Sequence, residues 1–578
     1  MKGTYMHKVL SSLLVLTVAS CHHAGPSPGT DAATSSDAAA SGDAAAKPAD
    51  GSTLPGTDAG GDASVNQPLD RSVLQRGNDL YRRATFTQPL LTKTAATTMA
   101  PDTTFNGNAT FPANGSMTGQ GMASVLYVEN GPPGAGCPAG VTGCTASARA
   151  AGAGVFLAFP PLGSNPNIIA FDETTGLPVW TQHVDSGSDG IRGTPVVDLA
   201  TRRIFVVTGS DPHFVRAISL DTGAEVTTGG WPLMLSSSTL SYQSNAFASQ
   251  VENQHGALLF MNNILYIPFG GEDGDGGAYY GWIVAVDTTD PTKYVGWATR
   301  SVKSGIWGAG GLASDGTYVF GVTGNTSGLP RAMSDSEEVV RVKGMAAFTR
   351  DASSLFVPTE WQAWDQYDLD FASATPAYVP LPAGSTPASL LVAPGKGGRV
   401  FVLDGQNLSS GTYPAAGGEL ADLVVSNTTS FSVYTAPTVY TSASGIHATI
   451  NVGGNSTDNA VSCPDGTMAS TEEYVSILLS PGKTPIAKTA WCAGGTGGGN
   501  SNHPPISTTS DGASADAMVW FLDGGQLTGV DGDTGAKVVT TAGSTCDSIF
   551  SMSFPIAVKG RIVVAALGHL CSWSPNGL

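Results

Sequence analysis

Three ring-bearing side chains occupy one position of a repeated sequence unit. His255, Trp307 and His503 each lie eight residues before an Asn or Asp that starts a turn. Arg192 and Gln254 fall at or beside the equivalent position in their own units. Such a set suits an anionic or planar ligand, held by hydrogen bonds, cation–π contacts and stacking. The alternative is that these side chains only lock neighbouring units together by hydrogen bonds.

A Gly-rich segment, residues 270–281, carries three closely spaced carboxylates, Glu272, Asp273 and Asp275. Ca²⁺ takes six to eight hard oxygen ligands, so this segment is a candidate calcium site. The complete twelve-residue calcium loop with its closing Glu is absent, and the alternative is a long solvated loop.

Short apolar strands separated by Gly, Asp and Asn must position these residues. One recurrent unit is "GTPVVDLATRRIFVVTG" (193–209), and another is "IIAFDETTGLPVW" (168–180). Asp begins each turn by accepting backbone N–H groups, and Gly closes it because its φ is unrestricted. Repetition of a four-strand unit predicts an all-β protein with the architecture of a β-propeller. In that architecture the inner strands converge on a central axis, so the repeated ring position can face a funnel.

The Asp-x-x-Thr-Gly-x-x-x-Trp pattern of residues 172–180 resembles the repeat of quinoprotein (PQQ-repeat) propellers. Stretches such as "SGIWGAGGLASDGTYVFGVTGN" (304–325) are similar to exported bacterial PQQ-binding-like propeller proteins. The resemblance implies eight blades, with seven as the alternative. Members of this superfamily include dehydrogenases that use PQQ and Ca²⁺, and others that bind proteins without any cofactor.

The run "WDQYDLDFASATPAYV" (364–379) resembles the segment that supplies the general base and a Ca²⁺ ligand in quinoprotein alcohol dehydrogenases. The resemblance assigns that role to Asp370, which would accept the alcohol proton as hydride moves to PQQ. Two features depart from the pattern. No two cysteines are adjacent, and Ser373-Ala374-Thr375 stands where those enzymes have Asn. Similar runs also occur as plain turns in non-enzymatic repeat proteins.

Cysteine usage fits an exported chain with disulfide bonds. Six cysteines follow Cys21, namely Cys137, Cys144, Cys463, Cys492, Cys546 and Cys571. Six cysteines allow 15 pairings. Their order favours Cys137–Cys144, Cys463–Cys492 and Cys546–Cys571. No C-x-x-C pair occurs, so a redox or zinc motif built on one is absent.

The charge balance excludes some partners. With 46 acidic side chains against 27 Lys and Arg, the formal net charge is −19. Such a chain repels phosphate backbones and anionic headgroups, so we expect no nucleic-acid partner and membrane contact through a lipid anchor only.

The N-terminal residues predict an export signal. Residues 1–20 have a basic start, an apolar run and small residues, and Cys21 follows directly. This resembles a bacterial lipoprotein signal, which implies cleavage before Cys21 and diacylation of its sulfur. His22 rather than Asp follows the cysteine, which by the same resemblance implies anchoring to the outer membrane. An ordinary signal peptide is the alternative. Residues 21–69 are rich in Ala, Gly, Ser and Asp, which predicts a disordered tether. The spacing of apolar residues in the segment that follows predicts a short helix near 70–83.

We therefore interpret residues 70–578 as a membrane-anchored propeller that binds or scaffolds a protein, glycan or small ligand, without catalysis. The first alternative is a periplasmic PQQ- and Ca²⁺-dependent alcohol or sugar dehydrogenase. The second is a polysaccharide lyase or hydrolase whose acid and base are His255 and His503, which requires two imidazoles within about 7 Å.

Overall fold

Short β-strands dominate the computed structural model of the chain, which describes residues 72–111, 123–132, 152–160, 167–184, 190–271, 275–326, 335–345, 353–409, 416–425, 433–452, 463–464, 473–494, 503–523, 525–542, 546 and 552–576. Within the described residues, and apart from one two-stranded hairpin, the strands form eight sheets that follow one another along the chain, and each sheet runs from an inner strand outward. First strands of several neighbouring sheets contact one another, as expected for strands arranged around a common axis. The predicted eight-bladed β-propeller is confirmed, and the seven-bladed alternative is excluded.

Two strands and two helices of the N-terminal part precede the first blade: β1 (Thr85–Thr87), α1 (Lys93–Ala96), β2 (Met99–Pro101) and α2 (Thr103–Asn108). The first blade contains β3 (Leu126–Val128), β4 (Val155–Ala158), β5 (Ile168–Asp172) and β6 (Pro178–Gln182). The second contains β7 (Val196–Asp198), β8 (Arg203–Thr208), β9 (His213–Ser219) and β10 (Leu233–Leu235). A hairpin follows, β11 (Ser241–Tyr242) and β12 (Asn245–Ala246).

The third blade contains β13 (Glu252–Asn253), β14 (Leu259–Met261), β15 (Ile264–Gly271), β16 (Trp282–Asp287) and β17 (Tyr294–Ala298). The fourth contains β18 (Ala313–Ser314), β19 (Tyr318–Val322), β20 (Val339–Lys343) and β21 (Leu355–Phe356). Helix α3 (Trp361–Tyr367) and a 3₁₀ helix (Phe371–Ser373) lead into the fifth blade, which contains β22 (Ala377–Pro380), β23 (Ser389–Gly395), β24 (Arg399–Asp404) and β25 (Ala421–Val424).

The sixth blade contains β26 (Thr438–Ser442), β27 (Gly445–Val452), β28 (Glu473–Leu479) and β29 (Ala487–Gly494). The seventh contains β30 (Ile506–Thr509), β31 (Met518–Asp523), β32 (Gln526–Asp531) and β33 (Lys537–Thr540), with β1 parallel to β30. The eighth contains β34 (Ile556–Val558), β35 (Arg561–Ala566) and β36 (His569–Pro575) and takes its outer strand, β2, from the N-terminal part. This pairing of chain ends closes the ring.

The repeated turn locks each blade to the next. Asp172 Oδ1 accepts the N–H groups of Thr174 at 3.0 Å and Thr175 at 2.9 Å, as the sequence pattern predicts. Trp180, at the end of the unit, lies against Gly223 of the second blade, where a Cβ would come within 2.6 Å of the indole. Its Nε1 donates to the carbonyl of Leu220 at 2.9 Å. Gly is thus required here because the indole occupies the space of a side chain.

Residues 72–84 form a segment of turns and bends at the propeller axis, which we call the axial segment. Its hydrogen bonds reach seven blades: Val73 N to Tyr127 O, Val197 N to Leu74 O, Arg82 Nη2 to Leu258 O, Ser314 N to Leu80 O, Tyr378 N to Tyr81 O, Val439 N to Arg83 O and Ser507 N to Ala84 O. The prediction of a helix near 70–83 is wrong over the described part of that range, 72–83. Gly77, Asn78 and Arg82 have positive φ, which a right-handed helix does not allow. The peptide groups of the segment bond to blade strands and within tight turns, rather than in a helical pattern.

Disulfides join Cys463 to Cys492 and Cys546 to Cys571, two of the pairs that sequence order favours. Cys21, the signal and tether predictions, Cys137 and Cys144 lie outside the described residues. Among the residues that the structure describes, no helix has the length and apolar character to cross a membrane.

Candidate functional site

The residues that precede each first strand lie at one end of the axis, because all eight blades run outward in the same order. We call this end the mouth. It carries Arg192, Gln254, His255, Trp307, Asp370, Tyr434, His503 and Met552.

The centre of the site is a buried ion pair between blades four and five. Asp370 directly precedes the 3₁₀ helix, and Lys396 directly follows β23. Lys396 Nζ lies 2.9 Å from Asp370 Oδ2 and 3.3 Å from Asp368 Oδ2. The other oxygen of Asp370 accepts the N–H of Asn325 at 3.0 Å. Both oxygens of this carboxylate therefore have fixed directions before any ligand arrives.

Trp307 forms a partly exposed surface beside this pair. The amino group of Lys396 lies 5.9 Å from the centre of the Trp307 ring. Gly324 separates the indole from the carboxylate, since a Cβ at this position would lie 2.5 Å from Asp370 Oδ1 and 3.3 Å from Trp307 Nε1. The chain thus brings a flat aromatic surface, an ammonium and a carboxylate together at the mouth.

Two further carboxyl groups surround Asp370. Glu337 is completely buried, and its Oε2 accepts the N–H of Phe371 at 2.6 Å. Burial, followed by the charge of Asp370, raises the pKa of Glu337 well above its usual value. Burial and the same charge also raise the pKa of Asp368, whose Oδ1 accepts from the side-chain amide of Asn325 at 3.1 Å.

Further aromatic side chains lie near the pair. The rings of Trp307 and Tyr434 lie 6.4 Å apart, and Tyr434 packs against buried Met552. Burial and then the charges of Asp370 and Asp368 raise the pKa of Tyr434. Buried Tyr279 also feels the charge of Asp370, and its hydroxyl donates to Asp275 Oδ1 at 2.5 Å.

The other predicted mouth residues lie elsewhere on the ring. The amide of Gln254 donates to the carbonyl of Gly256 and fills the space beside Gly193, next to half-buried Arg192. His255 is buried on blade three, and His503 is half-buried on blade seven. Blades three and seven are half a ring apart, so these imidazoles belong to facing rather than neighbouring blades.

The predicted acidic loop is described only in part. Glu272 and Asp273 lie outside the described residues, and exposed Asp275 accepts the Tyr279 hydroxyl. Within the described ranges, one cluster has the ligand types and spacing for a metal ion, Cys546, His569 and Cys571. Both of its sulfurs belong to a disulfide, and thiolates are the form that binds metals.

Sequence reasoning found Trp307 and Asp370 but missed Lys396, Asn325 and Glu337. The sequence contains only weak indications of these residues. Lys396 is a lysine between glycines in a chain with few charges, and Glu337 stands in an acidic run directly before an apolar strand.

Comparison with solved structures gives neighbours of the same fold. The quinohemoprotein alcohol dehydrogenase of Pseudomonas putida has a TM-score of 0.55 and 11% identity, covering 88% of this chain and 80% of that one. The quinohemoprotein alcohol dehydrogenase of Comamonas testosteroni has a TM-score of 0.53 and 12% identity, covering 88% and 81%. A europium-containing methanol dehydrogenase has a TM-score of 0.55 and 12% identity, covering 87% and 90%. No family model matches the chain, and no curated protein matches it.

These neighbours correct our first functional interpretation. A propeller that only binds or scaffolds is contradicted, because the structural neighbours are alcohol and methanol dehydrogenases. At 11–12% identity the likeness itself establishes the quinoprotein-like propeller fold.

Proposed function

We propose that this chain is a PQQ- and Ca²⁺-dependent dehydrogenase that oxidises an alcohol or sugar hydroxyl at the mouth. The observation that carries the proposal is the buried Asp370–Lys396 pair beside the partly exposed ring of Trp307. The dehydrogenases among the structural neighbours support the same reaction class.

The residues present fit the cofactor. Gly324 leaves space between Trp307 and Asp370 that any side chain would fill. Trp307 offers a planar surface for a planar quinone, and Lys396 offers a cation for its anionic and carbonyl oxygens. Asp368, Asp370 and the side-chain oxygen of Asn325 are hard donors of the kind Ca²⁺ prefers.

When bound, PQQ would accept the hydride from the alcohol carbon. The protein itself must remove the hydroxyl proton, which Asp370 would accept at a carboxylate oxygen. Lys396 and the N–H of Asn325 hold that carboxylate in one orientation, so little reorganisation accompanies proton transfer. Tyr434 and Met552 would exclude water from the reacting groups.

The test is calorimetric titration of the purified protein with PQQ in millimolar Ca²⁺, followed by dye-linked oxidation of alcohols and sugars. We expect saturable micromolar or tighter binding, and a loss of turnover of about 10²- to 10⁴-fold in Asp370→Asn. The control Asp290→Asn changes an exposed carboxylate and should leave turnover unchanged. Absence of PQQ binding by the folded protein would reject the proposal.

We further propose that the chain is exported and held at the outer membrane through lipid on Cys21, with residues 21–69 as the tether. The basic start, apolar run and Cys21 of the sequence support this. Labelled fatty acid should enter the wild-type chain and not Cys21→Ser, and equal labelling of both would refute the anchor.

A further inference from the structure

Glu337 is a buried carboxyl group that the reaction proposed above does not use. It lies two residues before β20, its side chain has 0% exposure, and its φ of 53° is left-handed. A left-handed conformation is strained for a non-Gly residue and persists only where its surroundings fix it. The constraint here is a bond from the Glu337 N–H to the carbonyl of Gly324 at 3.0 Å.

From that point the Glu337 side chain extends to the peptide group that follows Asp370. Its Oε2 accepts the N–H of Phe371 at 2.6 Å. Phe371 begins the 3₁₀ helix, so its N–H has no acceptor within that helix and needs another. Because Phe371 follows Asp370 directly, this bond fixes the peptide group that carries the reacting side chain.

Three hydrogen bonds then make a closed ring. Glu337 binds Gly324 through its backbone and Phe371 through its side chain, while Asn325 N–H binds Asp370 Oδ1. Gly324–Asn325 and Asp370–Phe371 are adjacent pairs in the chain. A change at Glu337 therefore acts on both partners of the Asn325–Asp370 bond.

The second oxygen of Glu337 makes no hydrogen bond that would account for a carboxyl group at this position. Oε1 is buried and has no hydrogen-bond partner among the described residues. An unpartnered buried oxygen is costly, and an apolar side chain would avoid this cost in a position that served packing alone.

We propose that Glu337 is a positioning residue that holds the Asp370 carboxylate in its reactive orientation. The assignment of a reaction to Asp370 rests on the function proposed above, whereas the orientation itself is testable without cofactor. A neutral amide oxygen can accept the same bond, so Glu337→Gln should preserve the arrangement and Glu337→Met should lose it.

The test compares Glu337→Gln, Glu337→Met and the matched control Glu338→Met, which removes an adjacent buried carboxyl whose Oε1 accepts the N–H of Asp335. Amide hydrogen exchange at Phe371 and Asn325 is measured in the cofactor-free protein by mass spectrometry with residue-level fragmentation. We expect exchange at both amides to rise about tenfold in Glu337→Met only. Unchanged protection of Asn325 in a folded Glu337→Met protein would overturn the proposal.

Turnover separates positioning from a general loss of stability. With PQQ loaded, kcat should fall about 10- to 100-fold in Glu337→Met with KM changed less than about threefold, and Glu337→Gln should restore it. An equal loss of kcat in Glu338→Met would assign the effect to stability and reject positioning. If the wild type neither binds PQQ nor turns over, the proposed function fails, and the exchange data still decide the role of Glu337.

Discussion

The ammonium of Lys396 lies 2.9 Å from the carboxylate of Asp370, with 7% and 9% of the two side chains exposed. A pair this deep is strongly interdependent, since removal of one charge leaves the other buried without its partner. The second carboxylate near Lys396, Asp368, is half-exposed and can be solvated by water. The two aspartates therefore differ in how much each depends on the lysine.

Replacing Lys396 with Met should destabilise the protein by about 3–5 kcal/mol, because Asp370 then remains charged and buried. The double variant Lys396→Met with Asp370→Asn should recover most of this loss. Urea denaturation of the four proteins in the cycle measures the coupling. Lys293→Met, which breaks an exposed pair with Asp290, should cost less than about 1 kcal/mol. Simple additivity of the two buried substitutions would show that the pair is not coupled.

The site was only partly visible in the sequence, for a topological reason. Trp307 occupies a position of the repeat, and Asp370 lies in a run that resembles a known motif, so pattern found the first and resemblance the second. Lys396 and Asn325 bind Asp370 and are separated from it by 26 and 45 residues of the chain. Glu337 binds the adjacent residue, Phe371, from 34 residues away. They meet because the ends of strands in blades four and five converge, and no local spacing encodes that meeting.

Replacing Gly324 with Ala should displace the Asp370 carboxylate. The added Cβ would lie 2.5 Å from Oδ1, and the φ of Gly324 requires no left-handed conformation, so the effect is steric. We expect kcat to fall about 10²-fold, since a misplacement of about 1 Å has that effect, with a loss of stability of about 1–3 kcal/mol.

Steady-state kinetics and urea denaturation measure the two effects of Gly324→Ala. Gly107→Ala is the matched control, because a Cβ there meets no atom within 4 Å and the site lies elsewhere. Unaltered turnover in Gly324→Ala would mean that Asp370 has room to move and is not held by this contact.

The fold was more accessible than the site. Asp172 and Gly176 act in their turn as the repeat predicts, and Trp180 locks the blade. The axial segment was misread as a helix because its apolar spacing is compatible with one. Its peptide groups bind the first strands of successive blades, and only the assembled ring offers those partners.

Replacing Arg82 with Met should destabilise the propeller strongly. The buried guanidinium donates to the carbonyls of Leu312 and Leu258 at 2.7 Å each, and also to that of Arg76. Each carbonyl left unsatisfied costs about 1–3 kcal/mol. Chemical denaturation should show a loss of several kcal/mol relative to Arg83→Met, whose guanidinium forms a partly exposed pair with Asp79. Similar losses in the two variants would show that the axial segment does not hold the blades together.

His447 should make the protein less stable in mild acid. It is buried in β27, between the hydroxyls of Ser444 at 2.8 Å and Ser476 at 3.0 Å. Burial lowers its pKa to about 4, against a smaller opposing effect of Asp533. The folded state therefore favours neutral imidazole, and its stabilising contribution is complete above pH 6.5 and is lost as the pH falls towards 4. The shift corresponds to about 3 kcal/mol at most.

The check is urea denaturation of wild type and His447→Gln at pH 7 and at pH 4.5. The stability difference between the two proteins should shrink or reverse at the lower pH, because Gln keeps polar contacts and has no proton to gain. The exposed His183 provides the control, and His183→Gln should follow the wild type at both pH values. A difference between wild type and His447→Gln that stays constant from pH 7 to pH 4.5 would mean that the imidazole gains its proton as readily in the folded chain as in the unfolded one.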